Sequence, residues 1–164
     1  ANQQTLMDKQ FKLAVTFGRF NLCHNGHLDL FKQMAACADE ISIGISTGPN
    51  NIVYRQRADV ILKLINNVKL GSTVGLWPKL QPFALLNECT HVEPEEVIFF
   101  VGEDQHKLAK AVERVLGFTT RTIPRLTSST SVRSAIDEQD WDIIASIVPP
   151  CIVNDVVNLH LKNA

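Results

Sequence analysis

Hydrophobic positions along the chain fall into two kinds of run that alternate. Short stretches at residues 11–17, 41–45, 73–77, 96–101 and 118–123 have the length and residue types of strands, the first of them near-continuously apolar. Between them, apolar side chains recur every three or four positions. Leu28, Phe31, Met34, Ala35 and Ala38 form one such stripe over residues 26–39; Val60, Ile61, Leu64, Ile65 and Val68 form another over residues 57–68. Further helices are predicted over residues 105–116, where Gly117 supplies the terminating position, and over residues 152–161. Another opens at the hydroxyl-rich run 127–131, with Pro149-Pro150 as the next break, and residues 80–91 carry a weaker helical pattern. Strands buried on both faces and alternating with helices predict an α/β fold built on a parallel five-stranded sheet with helices on both faces.

Composition adds bounds to this picture. The 164 residues show no internal repeat or dividing linker, so residues 1–164 are expected to form a single domain. A hydrophobic content of 45% is enough for a real core, and a formal charge of −1 excludes a general nucleic-acid coat. An anionic ligand would therefore be held by a few placed cations. Cys23, Cys37, Cys89 and Cys151 form no CxxC pair, and no apolar leader precedes them, which together predict a reduced, cytoplasmic protein. No apolar run approaches the roughly 18 residues of a membrane span. A GxxxxGK phosphate loop and a GxGxxG turn after the first strand are both missing, which argues against ordinary kinases and dinucleotide-dependent dehydrogenases.

Ligands of parallel sheets sit beyond the carboxyl ends of the strands. Four segments reach that edge here: the turn after residue 17, the loop 47–51, Gly102-Glu103-Asp104, and the run 127–133. In the first, Gly18 and Arg19 break the strand, and His24-Asn25-Gly26-His27 leads into a helix whose start favours an anion. Asn25 is the expected N-cap, and Asp29 is placed for the first turn. No third ligand stands near His24 and His27 at metal-binding spacing, so no metal site is assigned. Gly26 lets a ligand approach the backbone. Asp104 at a strand end suits a ribose hydroxyl or a helix cap, and Arg55 and Arg57 place cations where the helix dipole does not favour them.

Residues 18–27, reading GRFxxxHxGH, resemble the first signature of the nucleotidylyltransferase superfamily. Residues 127–133, Thr-Ser-Ser-Thr-Ser-Val-Arg, resemble its second signature, with Thr127 in place of an Ile. Gly102-Glu103-Asp104 is similar to its ribose segment, and residues 148–157 to the Val-Pro and apolar helix that follow. The resemblance implies a Rossmann-like fold, a homo-oligomer, and transfer of a nucleoside monophosphate from ATP with Mg²⁺ to a small phosphorylated acceptor, releasing pyrophosphate. It implies catalytic roles for His24, His27 and Arg133. Gly18, Arg19, Phe20, Gly26, Gly102, Asp104, Ser128, Ser129 and Thr130 would bind the nucleotide, and Thr47, Asn50, Arg55 and Arg57 the acceptor.

The Gly-Arg-Phe start and Asp140-Trp141 are similar to short archaeal-type nicotinamide-mononucleotide adenylyltransferases, which makes nicotinamide mononucleotide the expected acceptor. Asn21, Leu22 and Cys23 depart from that group, and residues 25–30 look like phosphopantetheine adenylyltransferase. Phosphopantetheine, FMN, a CTP-dependent reaction and a non-catalytic nucleotide-binding module are the alternatives.

Overall fold

In a computed structural model that describes residues 9–79, 89–124 and 126–163, the chain runs as alternating strands and helices. Among the described residues these are β1 (Phe11–Gly18), α1 (Asn25–Cys37), β2 (Ala38–Ser46), α2 (Tyr54–Val68), β3 (Thr73–Lys79), β4 (Val97–Gly102), α3 (His106–Leu116) and β5 (Thr119–Ile123). Then follow α4 (Ser129–Asp137), α5 (Trp141–Ile147) and α6 (Val153–Asn163). The strands form one parallel sheet in the order β3-β2-β1-β4-β5. The chain winds outward from β1 to β3, then returns to β4 on the other side of β1. That reversal leaves a crevice at the carboxyl ends of β1 and β4.

Strand periodicity divides the core. Ala14, Ile98 and Phe100 face one side of the sheet with Ile41, Ile43 and Ile45, against Phe31 and Met34 of α1, Leu64 of α2 and the C-terminal helices. Leu13, Val15, Val97, Phe99 and Val101 face the other, against Ala109 and Val112 of α3. Helices therefore cover both faces, as expected.

Element boundaries differ from the sequence pattern where the backbone satisfies itself differently. Helix α1 stops at Cys37 because Ala38 turns extended and pairs with Phe11, so strand β2 starts without an intervening loop. Helix α2 begins at Tyr54, which puts Arg57 within its first turn and buries it. Strand β3 continues through Pro78 to Lys79, a position a proline tolerates because β3 lies at the sheet edge. The segment opened at residue 129 is two helices rather than one: Gln139 adopts a φ of +56°, and the Asp140 carboxylate caps α5 by accepting from the Ile143 amide at 3.2 Å. Gly117, at a φ of +73°, ends α3 as its position implied. Most of the helix-like stretch 80–91 lies outside the described residues. Among those described, no single helix is long and apolar enough to cross a membrane.

Candidate active site

Strand β1 delivers its last residues to the crevice, and Gly18 then lets the chain fold back on itself. A Cβ on Gly18 would stand 3.2 Å from the Phe20 ring, so the missing side chain is the space that ring uses. Phe20 takes a left-handed φ of +49°, a conformation that costs a non-glycine residue about 1–3 kcal/mol. Its ring is buried, 4.7 Å from His27 and 5.9 Å from Phe31. The strained turn is braced from α2: Arg57 Nη1 donates to the Arg19 carbonyl at 2.6 Å. Asn21 joins the neighbouring loop, its Oδ1 accepting from the Ile52 amide and its Nδ2 donating to Asn51 Oδ1, each at 3.2 Å.

The N-cap of α1 is His24, not Asn25. His24 Nδ1 accepts from the Gly26 amide at 3.0 Å, and His27 Nδ1 accepts from the His24 amide at 3.2 Å. The two imidazoles thus perform the reciprocal exchange usually made by Ser and Glu at a helix start. Asn25 instead donates to the Ser146 carbonyl at 3.0 Å, and Asp29 accepts from Gln33 rather than serving the first turn. The rings stack with centroids 3.8 Å apart. Because each Nδ1 receives a backbone N–H, hydrogen bonding assigns the proton of the neutral ring to Nε2.

Burial holds His27 well below the usual imidazole range, and the adjacent His24 adds to the shift. Its native pKa lies below the ordinary 6.5, so the folded ring stays neutral where the unfolded ring takes up a proton. The contribution to stability is complete above the unfolded value and is lost as pH falls from there toward the depressed native value, with a limiting slope of about 1.4 kcal/mol per pH unit. Urea midpoints at pH 5, 6 and 7.5 should show this loss. His27→Gln, which keeps a side-chain acceptor at the third helical position, should remove it.

The second half of the site comes from more than a hundred residues away. Ser128 caps α4, its Oγ accepting from the Ser131 amide at 3.1 Å. Ser129 Oγ donates to the Leu22 carbonyl at 3.0 Å, tying the hydroxyl run directly to the β1 turn. Arg133 is held one turn on by a 3.1 Å bond from Nη2 to Thr130 Oγ1. At the end of β4, a Cβ on Gly102 would stand 2.9 Å from Asp104 Oδ1, so the glycine makes room for that carboxylate.

These pieces line one cavity of about 570 Å³. His24, His27, Arg133, Gly18, Arg19, Phe20, Gly26, Gly102, Asp104, Ser128, Ser129 and Thr130 all reach it. Thr47, Asn50, Arg55 and Arg57 do not. Thr47 is occupied with the Lys79 carbonyl, Asn50 sits exposed in its loop at a φ of +69°, and Arg57 is a buried brace. The acceptor contacts expected of these four therefore have no support in the geometry. Lys79, which the pattern did not single out, does line the cavity. The available signal was a lysine closing an apolar strand directly after Pro78.

Among the described residues, no cluster of three or more His, Cys, Asp or Glu side chains could hold a metal ion. Cys23, beside His24, is buried and its thiol is pushed up to about 12, which leaves it without nucleophilic character near neutrality.

Gly26 separates the site's geometry from its stability. A Cβ there would stand 2.9 Å from His24 Cε1 and 3.0 Å from its Nδ1. Gly26→Ala improves helix propensity yet displaces a ring held by packing. Thermal melts should move little, while turnover falls about 10–100-fold, as expected when a reacting constellation shifts by a fraction of an ångström.

A family model described as cytidylyltransferase-like matches residues 15–135, a span that contains both the histidine turn and Arg133. The chain belongs to this family. It is a nucleotidyltransferase of the nucleotidylyltransferase superfamily. An FAD synthase from Halalkalicoccus jeotgali is 26% identical over 113 residues, covering 63% of this chain and 72% of that protein. The fold matches Plasmodium falciparum nicotinic acid mononucleotide adenylyltransferase complexed with NaAD, with a TM-score of 0.70 at 14% identity, over 93% of this chain and 98% of that one. A bifunctional NMN adenylyltransferase/ADP ribose pyrophosphatase from Francisella tularensis matches with a TM-score of 0.61 at 14% identity, over 93% of this chain and 49% of that one.

Proposed function

We propose that this nucleotidyltransferase moves AMP from ATP to the phosphate of a small mononucleotide-type acceptor, releasing pyrophosphate. The observation that carries the reading is the Ser129–Leu22 hydrogen bond, which locks the hydroxyl run and Arg133 onto the same cavity as the two histidines. An acceptor phosphate oxygen forms a bond to the α-phosphorus as the bond to the bridging oxygen of the leaving pyrophosphate breaks. The acceptor oxygen is already ionised near neutral pH, so the protein has charge and position to supply rather than a strong base.

Nucleotide binding falls to the β4–β5 side. Asp104 faces a ribose hydroxyl, the start of α4 and its hydroxyls face phosphate oxygens, and Arg133 meets the β- and γ-phosphates. His24 and His27, neutral and protonated at Nε2, donate toward the α-phosphate oxygens. Their neutrality is useful: a donor that binds the growing charge without a full cation of its own gains most in the transition state. Magnesium would be carried by the triphosphate oxygens and water, consistent with a donor set in which Glu103 and Asp104 are the acidic side chains lining the cavity. Bound so, it would supply charge neutralisation on the phosphates.

The histidine turn favours nicotinamide mononucleotide as acceptor, and the relationship to an FAD synthase favours FMN. Pyrophosphate release with ATP or CTP against nicotinamide mononucleotide, nicotinic acid mononucleotide, FMN and phosphopantetheine decides among them. Turnover with ATP and one mononucleotide is the expected result. Tight ATP binding without turnover on any acceptor would overturn the transferase reading in favour of a binding module.

A further inference from the structure

Strand β3 ends in a lysine that the fold has gone out of its way to bury. Lys79 is only 5% exposed, yet it lines the cavity. Its stem crosses the sheet over Gly44, where a Cβ would stand 3.2 Å from Lys79 Cδ and 3.3 Å from Phe17 Cβ. The glycine is thus the gap through which the stem passes. The strand end is pinned as well, because the Thr47 amide and hydroxyl both donate to the Lys79 carbonyl, at 2.9 and 3.1 Å. The ammonium lies 3.8 Å from the centroid of the Phe17 ring.

Among the described residues no carboxylate pairs with Lys79. A buried cation without a counter-ion is costly, and burial accordingly lowers its pKa. An aromatic face offsets part of that cost, and an anion arriving in the cavity would offset more.

The sheet order says which anion. Gly102 and Asp104 enter the cavity from the end of β4 and the histidine pair follows β1, whereas Lys79 enters from β3, on the opposite side of β1 in the sheet, its ammonium reaching as far as the Phe17 ring of β1. In an in-line displacement the attacking oxygen and the leaving pyrophosphate lie on opposite sides of the α-phosphorus. With the ribose assigned to Asp104 at the end of β4 and the pyrophosphate to Arg133, the side left for the attacking oxygen is the one from which Lys79 enters.

We propose that Lys79, carried from β3 over Gly44 into the cavity beside Phe17, is the binding residue for the acceptor's dianionic phosphate monoester, while the triphosphate belongs to Arg133. The proposal rests on the transferase reading above. It explains why Thr47 is spent on the strand end: it fixes the point from which the lysine reaches. A single point charge on a flexible stem suits a phosphate that must turn one oxygen toward the reacting phosphorus.

The test compares FMN with riboflavin, and nicotinamide mononucleotide with its riboside, by calorimetry on wild type and on Lys79→Met, which keeps the stem packing and removes the charge. Lys79→Met should cut the preference for the phosphorylated ligand by about 10–100-fold, with affinity for a non-hydrolysable ATP analogue changed less than about twofold. In steady-state assays the acceptor KM should rise far more than kcat falls. An unchanged phosphate preference, or an equal loss of ATP-analogue binding, would overturn the assignment. A second measurement needs no variant: acetic anhydride labelling of Lys79 in wild type, read by mass spectrometry, should be suppressed by FMN or nicotinamide mononucleotide and not by the dephosphorylated forms. Suppression by the ATP analogue alone would overturn the proposal. Wild type that turns over while Lys79→Met behaves identically sinks the lysine alone; wild type inactive on every acceptor sinks the transferase reading and this proposal with it.

Discussion

His27→Ala should lower kcat by about 100–1,000-fold, while the dissociation constant for an ATP analogue changes by less than about fivefold. The size follows from removing one preorganised donor at a site where charge develops. The split follows from the ring's neutrality: it gains little from the ground-state triphosphate and most from the transition state. His27 also accepts the His24 amide, so alanine removes a helix cap together with the donor. His27→Gln separates the two roles, because glutamine at that position reaches back to the same amide. It should restore most of the lost stability and little of the lost rate. Comparable losses in kcat and ATP affinity would mean that the ring binds the ground state, and recovery of rate by glutamine would mean that the cap alone mattered.

The second large effect lies beneath the site. Phe31 is fully buried under Phe20, whose ring supports His27. Phe31→Ala should cost about 3–5 kcal/mol of unfolding free energy, the transfer loss plus the cavity left behind. It should also reduce the turnover of the molecules that remain folded, because a left-handed Phe20 loses the surface it packs on. Leu64→Ala is the control: it is fully buried on the same face of the sheet but belongs to α2 and lies outside the cavity lining. It should cost about 2–5 kcal/mol and leave turnover per folded molecule unchanged. Urea titrations give the first quantity, and activity normalised to the folded fraction gives the second. Equal turnover in the two variants would show that the aromatic stack does not position His27.

Much of this was written in the sequence, and the reasons are local. Apolar runs of strand length, β-branched stretches such as Thr119–Ile123 and stripes of helical period are one-dimensional signals, so all five strands and the stripe of α1 could be read directly. Glycines that mark close approach, a hydroxyl at a helix start and two histidines around Gly26 are also local signals. All twelve catalytic and nucleotide-binding candidates reach one cavity. The boundaries were less legible. Ala38 and Gln139 take their conformations from a strand partner and a cap rather than from their own preferences.

The tertiary structure alone decided which charged groups face the cavity. In sequence, Arg57 and Lys79 are equivalent: each is a cation near a strand or helix end beside a turn-rich stretch. Burial in the first turn of α2 turns Arg57 inward onto the Arg19 carbonyl, where it braces the turn and does not line the cavity. A missing side chain at Gly44, on a different strand, lets the Lys79 stem cross to the cavity. Neither outcome depends on the residue's own neighbours in the chain, which is why spacing could not tell which of the two lines the cavity. Likewise, the sequence named two imidazoles at a helix start, but only the folded geometry made them each other's cap. Two backbone hydrogen bonds to Nδ1 fix both the tautomer and the direction in which the remaining proton can act.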